Sequence, residues 1–155
     1  MSGPKILELI GGDPQLLVAH VPHARAIGLA VVDVRPREVW LRVPYADFLV
    51  GNPETRVVHG GVITTLLDNG GGVATMTALE ELRAVATLDL RIDYMKPATP
   101  GRDIIGHCLC HKLTRQVAFV RGTAYHDTPD DPIAIAAMAF MVGANRSTPP
   151  IGGRA

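Results

Sequence analysis

A histidine, two glycines and a carboxylate are spaced along this chain in a way that suits chemistry on a carbonyl group. His59-Gly60-Gly61 stands where a helix is expected to begin, and Asp68 lies two turns further on. The first turn of a helix leaves backbone N–H groups unpaired, and the helix dipole adds about half a positive charge there. Such a turn can polarise a carbonyl oxygen, and Gly60 lets a substrate approach the backbone closely.

The separation of Gly60 and Asp68 indicates that one chain does not complete this site. Eight residues at the helical rise of about 1.5 Å place the two groups about 12 Å apart along the axis. That distance is too long for both to act on one carbonyl. A second copy of the chain would close the gap, so the spacing favours a site shared between two protomers.

Hydrophobic periodicity predicts an amphipathic helix around Asp68, with its apolar face on a sheet and its polar face lining a cleft. The polar face comprises Gly61, Thr64, Thr65, Asp68, Gly72 and Thr75. Of these, Gly61, Thr64 and Thr65 are candidate substrate-binding residues. Glycine costs about 1 kcal/mol relative to alanine in a helix interior, so Gly70-Gly71-Gly72 either end the helix at Asn69 or are tolerated through close packing. We favour close packing.

The elements around this helix predict an α+β fold. Asp13-Pro14 indicates a short helix from Pro14 towards His20, and apolar, β-branched segments around Arg35-Pro36-Arg37 indicate a hairpin. Four extended segments follow the long helix, at residues 84–95, 103–113, 116–126 and 133–142. Their connections are mostly too short for parallel crossovers, so a largely antiparallel sheet is expected.

The first of these segments alternates apolar and polar residues, which predicts one buried face. The expected buried set is Ala86, Leu88, Leu90, Ile92 and Tyr94. One long helix covers only one side of the sheet. The chain is therefore expected to associate with copies of itself.

Composition excludes several classes of function. The chain has 155 residues, and its 15 basic residues balance its 15 acidic ones, so it forms one domain without a nucleic-acid groove or a surface for anionic membranes. No run approaches the roughly 20 apolar residues of a membrane span, and no disulfide framework exists, so a cytoplasmic location is expected. Ser2 and Ser147 lie near the ends, outside any nucleophile elbow, which argues against a serine hydrolase.

The segment His107-Cys108-Leu109-Cys110-His111 does not predict a metal site. In a strand the two cysteines point to one face and the histidines to the other, so no tetrahedral set converges. No metal and no organic cofactor are expected.

These residues together resemble the hotdog-fold acyl-CoA thioesterases, and most closely the PaaI-like and 4-hydroxybenzoyl-CoA thioesterase group. The matching pieces are Gly51-Asn52-Pro53, His59-Gly60-Gly61, Leu67-Asp68 and Asp93-Tyr94-Met95-Lys96-Pro97-Ala98. The resemblance implies a hotdog fold, in which a curved antiparallel sheet wraps one long central helix. It also implies a thioesterase domain over residues 25–143. The residues on either side are expected to form an N-terminal helical segment at 1–24 and a flexible tail at 144–155.

The same resemblance implies roles for particular residues. The Gly60 amide polarises the thioester carbonyl, and Asp68 of the other subunit is the nucleophile or the base that activates water. Asn52 and His59 position the thioester and its sulfur, and Thr87 helps to hold the water. Arg56 stands where glycine is frequent, and Asn52 lies seven residues before His59 instead of six.

The resemblance further implies an acyl-CoA substrate and a homodimer with shared sites, assembled as a dimer of dimers. Lys96, Lys112 and Arg115, with Arg121, lie on the later strands and turns, where the family binds coenzyme A. Two alternatives remain open. One is a hydratase or dehydratase of the same fold, which needs a close histidine and carboxylate pair that we do not find. The other is a non-catalytic acyl-CoA or lipid-binding module.

Overall fold

A computed structural model describes residues 4–145 as a six-stranded sheet and one long helix, preceded by short helices. The long helix, α4, spans Gly60–Thr77. The strands are β1 Ala30–Arg35, β2 Glu38–Val43, β3 Arg83–Tyr94, β4 Ile104–Leu113, β5 Val117–Tyr125 and β6 Ala134–Asn145. A 3-10 turn at Asp47–Leu49 precedes the loop that leads to α4.

The sheet has the strand order β1-β2-β4-β5-β6-β3, and every neighbouring pair is antiparallel. Leu66 and Leu67 of α4 are completely buried against the sheet, together with Leu41 of β2 and Val120 of β5. The α+β hotdog fold, the antiparallel sheet and the hairpin of β1 and β2 are therefore confirmed.

Helix α4 continues through its three glycines, and at two of them the sheet leaves no room for a side chain. A Cβ atom on Gly70 would lie 2.7 Å from the Cys108 sulfur, and one on Gly71 would lie 2.6 Å from the Phe140 ring. On Gly72 it would come no closer than 3.9 Å to Phe140. The expectation of close packing is confirmed for the first two glycines, whereas Gly72 has space around it.

This difference predicts opposite effects of two neighbouring substitutions. Gly71→Ala should lower the free energy of unfolding by about 1 to 3 kcal/mol, because the methyl group overpacks the core. Gly72→Ala should raise it by up to about 1 kcal/mol, because alanine is the better helix former. Urea unfolding at equal protein concentrations measures both, and a Gly71→Ala variant as stable as the wild type would contradict the packing argument.

The predicted polar face of α4 is wrong at one position. Thr75 is fully buried, and its hydroxyl donates to the carbonyl oxygen of Gly71 at 2.9 Å. The backbone bond satisfies this hydroxyl, which allows a threonine to lie in the core.

The predicted alternation along β3 is wrong at Ala86 and Leu88, which are exposed. Tyr94 lies on the predicted face but is not buried, because 51% of it is exposed. A β-bulge places Leu88 between Thr87, which pairs with Phe140, and Asp89, which pairs with Ala139. One extra residue reverses which side chains face the helix. Val85 and Thr87 therefore face α4 before the bulge, and Tyr94 reaches it after the bulge.

The N-terminal segment forms three short helices, α1 Lys5–Leu9, α2 Leu16–Ala19 and α3 Pro22–Ala26. Only α2 was expected, and it is shorter than predicted. The Gln15 side chain makes two hydrogen bonds to the backbone of Val31, at 2.8 and 2.9 Å, which attach this segment to β1. Residues 146–155, most of the predicted tail, lie outside the described residues. Within residues 4–145 no helix is long and apolar enough to cross a membrane.

Candidate active site

Asp68 is held by a hydrogen bond from the neighbouring strand. The Thr87 hydroxyl donates to Oδ1 of Asp68 at 2.7 Å, and the bulge after Thr87 directs this side chain towards the helix. Two oxygens of an ionised carboxylate offer about four acceptor positions. Thr87 therefore orients Asp68 and leaves most of its acceptor capacity for a substrate or a water.

Asp68 and Thr87 open into a cavity of about 260 Å³ between α4, α2 and the strands β3 and β6. Its lining is mostly apolar and comprises Leu17, His20, Val21, Asp68, Asn69, Gly72, Val73, Met76, Val85, Thr87 and Phe140. The expected cleft beside Asp68 is present. The contribution of the N-terminal helix α2 was missed, because no sequence pattern indicates where a short amphipathic segment will pack.

The start of α4 presents a backbone donor. His59 is the N-cap, and its Nδ1 accepts a hydrogen bond from the Gly61 N–H at 2.9 Å. The Val62 N–H bonds to the carbonyl oxygen of His59 at 3.0 Å. Within the described part of the chain no acceptor is found for the Gly60 N–H. The donor at the positive end of the helix dipole is therefore the amide that sequence reasoning singled out.

Tyr94 stabilises this first turn, and sequence reasoning did not name it as a site residue. Its hydroxyl donates to the Gly60 carbonyl oxygen at 2.9 Å and lies 2.9 Å from the Thr64 hydroxyl. The Tyr-Met-Lys-Pro segment could have drawn attention to it. The alternation along β3 places Tyr94 on the helix-facing side, but no sequence pattern indicates that its hydroxyl bonds to the first turn of α4.

Gly60 lines a second cavity, of about 320 Å³, at the opposite end of the polar face from the first cavity. Tyr94, Lys96, Pro97 and Ala98 contribute to it. The linings of the two cavities share no residue. In a single protomer, Gly60 and Asp68 therefore serve separate openings, as their spacing along the helix predicts.

The remaining candidates near the helix start make local bonds. The Asn52 side-chain oxygen accepts from the backbone N–H groups of Glu54 and Thr55, at 2.9 and 3.4 Å, in an Asx turn. The Thr65 hydroxyl donates to the Gly61 carbonyl oxygen at 3.0 Å and lies 3.2 Å from His23 Nε2. Arg56 has a φ of 63°, a left-handed conformation that favours glycine.

The candidate coenzyme A residues lie at two ends of the sheet. Lys96 follows β3, lines the Gly60 cavity and forms an ion pair with Asp131. Lys112 lies near the end of β4, and Arg115 lies in the exposed turn between β4 and β5. The register places that turn at the end of the sheet remote from Tyr94. One protomer therefore does not bring these three cations together.

Both cysteines are buried, and Cys108 lies against α4 beside Gly70. His107 lies on the outer face of the sheet, stacked on Trp40 with ring centroids 4.4 Å apart. Burial, with a smaller contribution from the charge of Asp68, raises the pKa of Cys108 to about 12. At neutral pH this thiol is protonated and a poor nucleophile. Residues 4–145 contain no group of three histidine, cysteine or acidic residues arranged to hold a metal ion.

Comparison with known proteins agrees with this fold. The sequence pattern of the thioesterase superfamily matches residues 56–133. The medium/long-chain acyl-CoA thioesterase YigI of Salmonella typhimurium is 30% identical over 156 residues, which cover 92% of this chain and 97% of that protein. A crystal structure of a Pseudomonas aeruginosa protein is 43% identical and has a TM-score of 0.75, covering 82% of this chain and 94% of that one.

A more distant structure extends the likeness in fold alone. The Escherichia coli PaaI protein from the phenylacetic acid degradation operon has a TM-score of 0.71 at 14% identity, covering 79% of this chain and 85% of that one.

The chain belongs to the thioesterase superfamily and is a thioester hydrolase. The family resemblance identified from the sequence is confirmed.

Proposed function

We propose that this protein hydrolyses acyl-CoA thioesters to a free acid and coenzyme A, with Asp68 acting on a carbonyl that the Gly60 amide of a second protomer polarises. The observation that carries the proposal is the hydrogen bond from Thr87, which orients Asp68 at 2.7 Å inside a mostly apolar cavity. The relationship to YigI over 97% of its length supports an acyl-CoA substrate.

The reaction requires a donor and a carboxylate at one carbonyl. The amide donor stabilises the transition state most when it bonds to the oxygen that becomes negative in the tetrahedral intermediate. Asp68 either attacks the carbonyl carbon directly or removes a proton from the attacking water. In the first route the coenzyme A thiolate leaves a mixed anhydride between the acyl group and Asp68, and water then hydrolyses this anhydride to the free acid and the restored carboxylate. In the second route water adds to the carbonyl carbon, the thiolate leaves, and the proton held by Asp68 passes to the thiolate.

In a homodimer with two shared sites, Gly60 of one protomer and Asp68 of the other can act on the same carbonyl, although the two residues are too far apart within one chain. The full assembly that we propose is a dimer of dimers. In such an assembly Lys96 of one protomer and Lys112 and Arg115 of another can act on the same coenzyme A. Gly61, Thr64 and Thr65 line the path of the thioester, and Asn52 and His59 position its sulfur. We propose that the protein acts in the cytoplasm, where acyl-CoA is available, and without a metal or organic cofactor.

Release of thiol from acyl-CoA tests this function directly. Purified protein is incubated with a thiol-trapping reagent and butyryl-, octanoyl-, palmitoyl- and benzoyl-CoA. We expect thiol release from at least one substrate, accompanied by an equal amount of free acid.

The alternatives give different products. A binding module retains the ligand in equilibrium dialysis and releases no thiol. A hydratase consumes an enoyl-CoA and leaves the thioester intact. Either result without hydrolysis of any saturated acyl-CoA would refute the proposal.

A further inference from the structure

The cavity beside Asp68 follows one face of helix α4. Gly72 and Met76 come one and two turns after Asp68, and both line the cavity. Residues four apart share a helix face, so these three positions form a row. The row is about 12 Å long at the helical rise of about 1.5 Å per residue.

Most of the walls along this row are apolar. Beyond Asp68 and Thr87, α2 flanks the cavity on one side and β3 and β6 on the other, and the polar side chains of His20 and Asn69 also line it. The apolar lining residues are Leu17, Val21, Val73, Met76, Val85 and Phe140. Such a lining favours a hydrocarbon chain over a polar ligand.

Gly72 keeps this passage open. Its neighbour Gly71 has no space for a methyl group, but a Cβ on Gly72 would have Phe140 at 3.9 Å as its nearest contact. Packing against the sheet therefore does not require glycine at position 72. What the missing side chain preserves is the volume of the cavity between Asp68 and Met76.

Met76 closes the far end. Its side chain is half-buried and also lines a narrow gap beneath α1. The other residues that line this gap are the apolar Ile6, Leu9, Leu79 and Leu82 and the charged Lys5, Glu80, Glu81 and Arg83. Met76 therefore separates the cavity beside Asp68 from a second gap at the end of α4. A flexible, unbranched side chain is suited to that position.

We infer that Gly72 and Met76 determine which acyl chains this enzyme accepts, an inference that rests on the proposed acyl-CoA hydrolysis. An extended chain advances about 3.5 Å for every three bonds, so about 12 Å from Asp68 to Met76 holds on the order of ten carbons. The structure thus assigns medium-length, unbranched acyl groups to the wild-type cavity.

The test uses saturated acyl-CoA substrates of increasing length, from butyryl to palmitoyl, and compares kcat/KM between variants. Met76→Ala joins the cavity to the region under α1, and we expect the ratio of myristoyl to octanoyl turnover to rise at least tenfold. Gly72→Leu fills the passage, and the ratio of octanoyl to butyryl turnover should fall at least tenfold. One buried methylene is worth about a fourfold change in binding. The loss or gain of several such contacts is therefore enough for a tenfold change in the ratio.

Opposite shifts distinguish this role from a general loss of stability. Butyryl-CoA hydrolysis should remain in both variants and reports an intact site. Met141 is an exposed methionine on β6, and Met141→Ala should leave the length profile unchanged.

Active variants with the wild-type profile would overturn the inference while leaving the proposed function in place. Should Gly72→Leu fail to fold, an unchanged profile in Met76→Ala overturns it alone. A wild type that hydrolyses no acyl-CoA refutes the proposed function, and the inference falls with it.

Discussion

Asp68→Asn is expected to lower kcat for acyl-CoA hydrolysis by roughly 10² to 10⁴-fold, the usual contribution of a positioned general base. An amide neither attacks the thioester nor accepts the proton of a water, although it has nearly the same shape. The Thr87 hydroxyl can still donate to the amide oxygen, so the fold and the cavity should be retained. Thiol release under saturating substrate measures the loss.

A second measurement separates chemistry from binding. The dissociation constant of acyl-CoA should change little in Asp68→Asn, since the substrate contacts that we propose lie mainly along the cavity walls and at Gly60. Asp33→Asn is the matched control, because Asp33 lies on β1, away from both cavities, and pairs with Arg35 at 3.0 Å. Hydrolysis at the wild-type rate in Asp68→Asn would remove Asp68 from the mechanism.

The central helix and its carboxylate could be predicted from the sequence because both depend on local patterns. Periodicity places Leu66 and Leu67 on the sheet and Asp68 on the opposite face. The glycines at 70 and 71 are interpretable because only close packing offsets their cost in a helix. The separation of Gly60 from Asp68 follows from helical rise alone, and the two separate cavities agree with it.

The features that were missed depend on tertiary contacts. The bulge at Leu88 reverses the faces of β3, and no residue type around it marks the irregularity. Thr87 was expected on the polar face and contacts Asp68 because of that reversal. The placement of α2 over Asp68 depends on the bonds between Gln15 and Val31, a pairing of positions that sequence periodicity does not indicate.

The Gly60 amide can be tested in spite of being a backbone group, because its position tolerates proline. Gly60 is the first residue of α4, where proline is common and its missing N–H costs no helical bond. His59 before it has φ −60° and ψ 135°, the extended conformation that a residue preceding proline adopts. Gly60→Pro should therefore fold and remove the one donor that we assign to the carbonyl oxygen. The loss of one such donor lowers kcat about 10² to 10³-fold.

Gly60→Ala supplies the control, since it retains the N–H. Its Cβ would contact the Tyr94 ring at 3.5 Å, an ordinary van der Waals distance. Both variants add carbon atoms near Tyr94, but only proline deletes the donor, so the ratio of their kcat values isolates the amide. Equal kcat values for Gly60→Pro and Gly60→Ala, in proteins with unchanged circular dichroism, would show that the carbonyl is polarised elsewhere.

If kcat differs greatly between these two variants and also falls in Asp68→Asn, then the Gly60 amide and Asp68 are both essential to the hydrolysis of one thioester bond. The two groups nevertheless lie about 12 Å apart on one helix. Mixed dimers of Gly60→Pro and Asp68→Asn chains should then regain one intact site in each dimer, because each chain supplies the group that the other lacks.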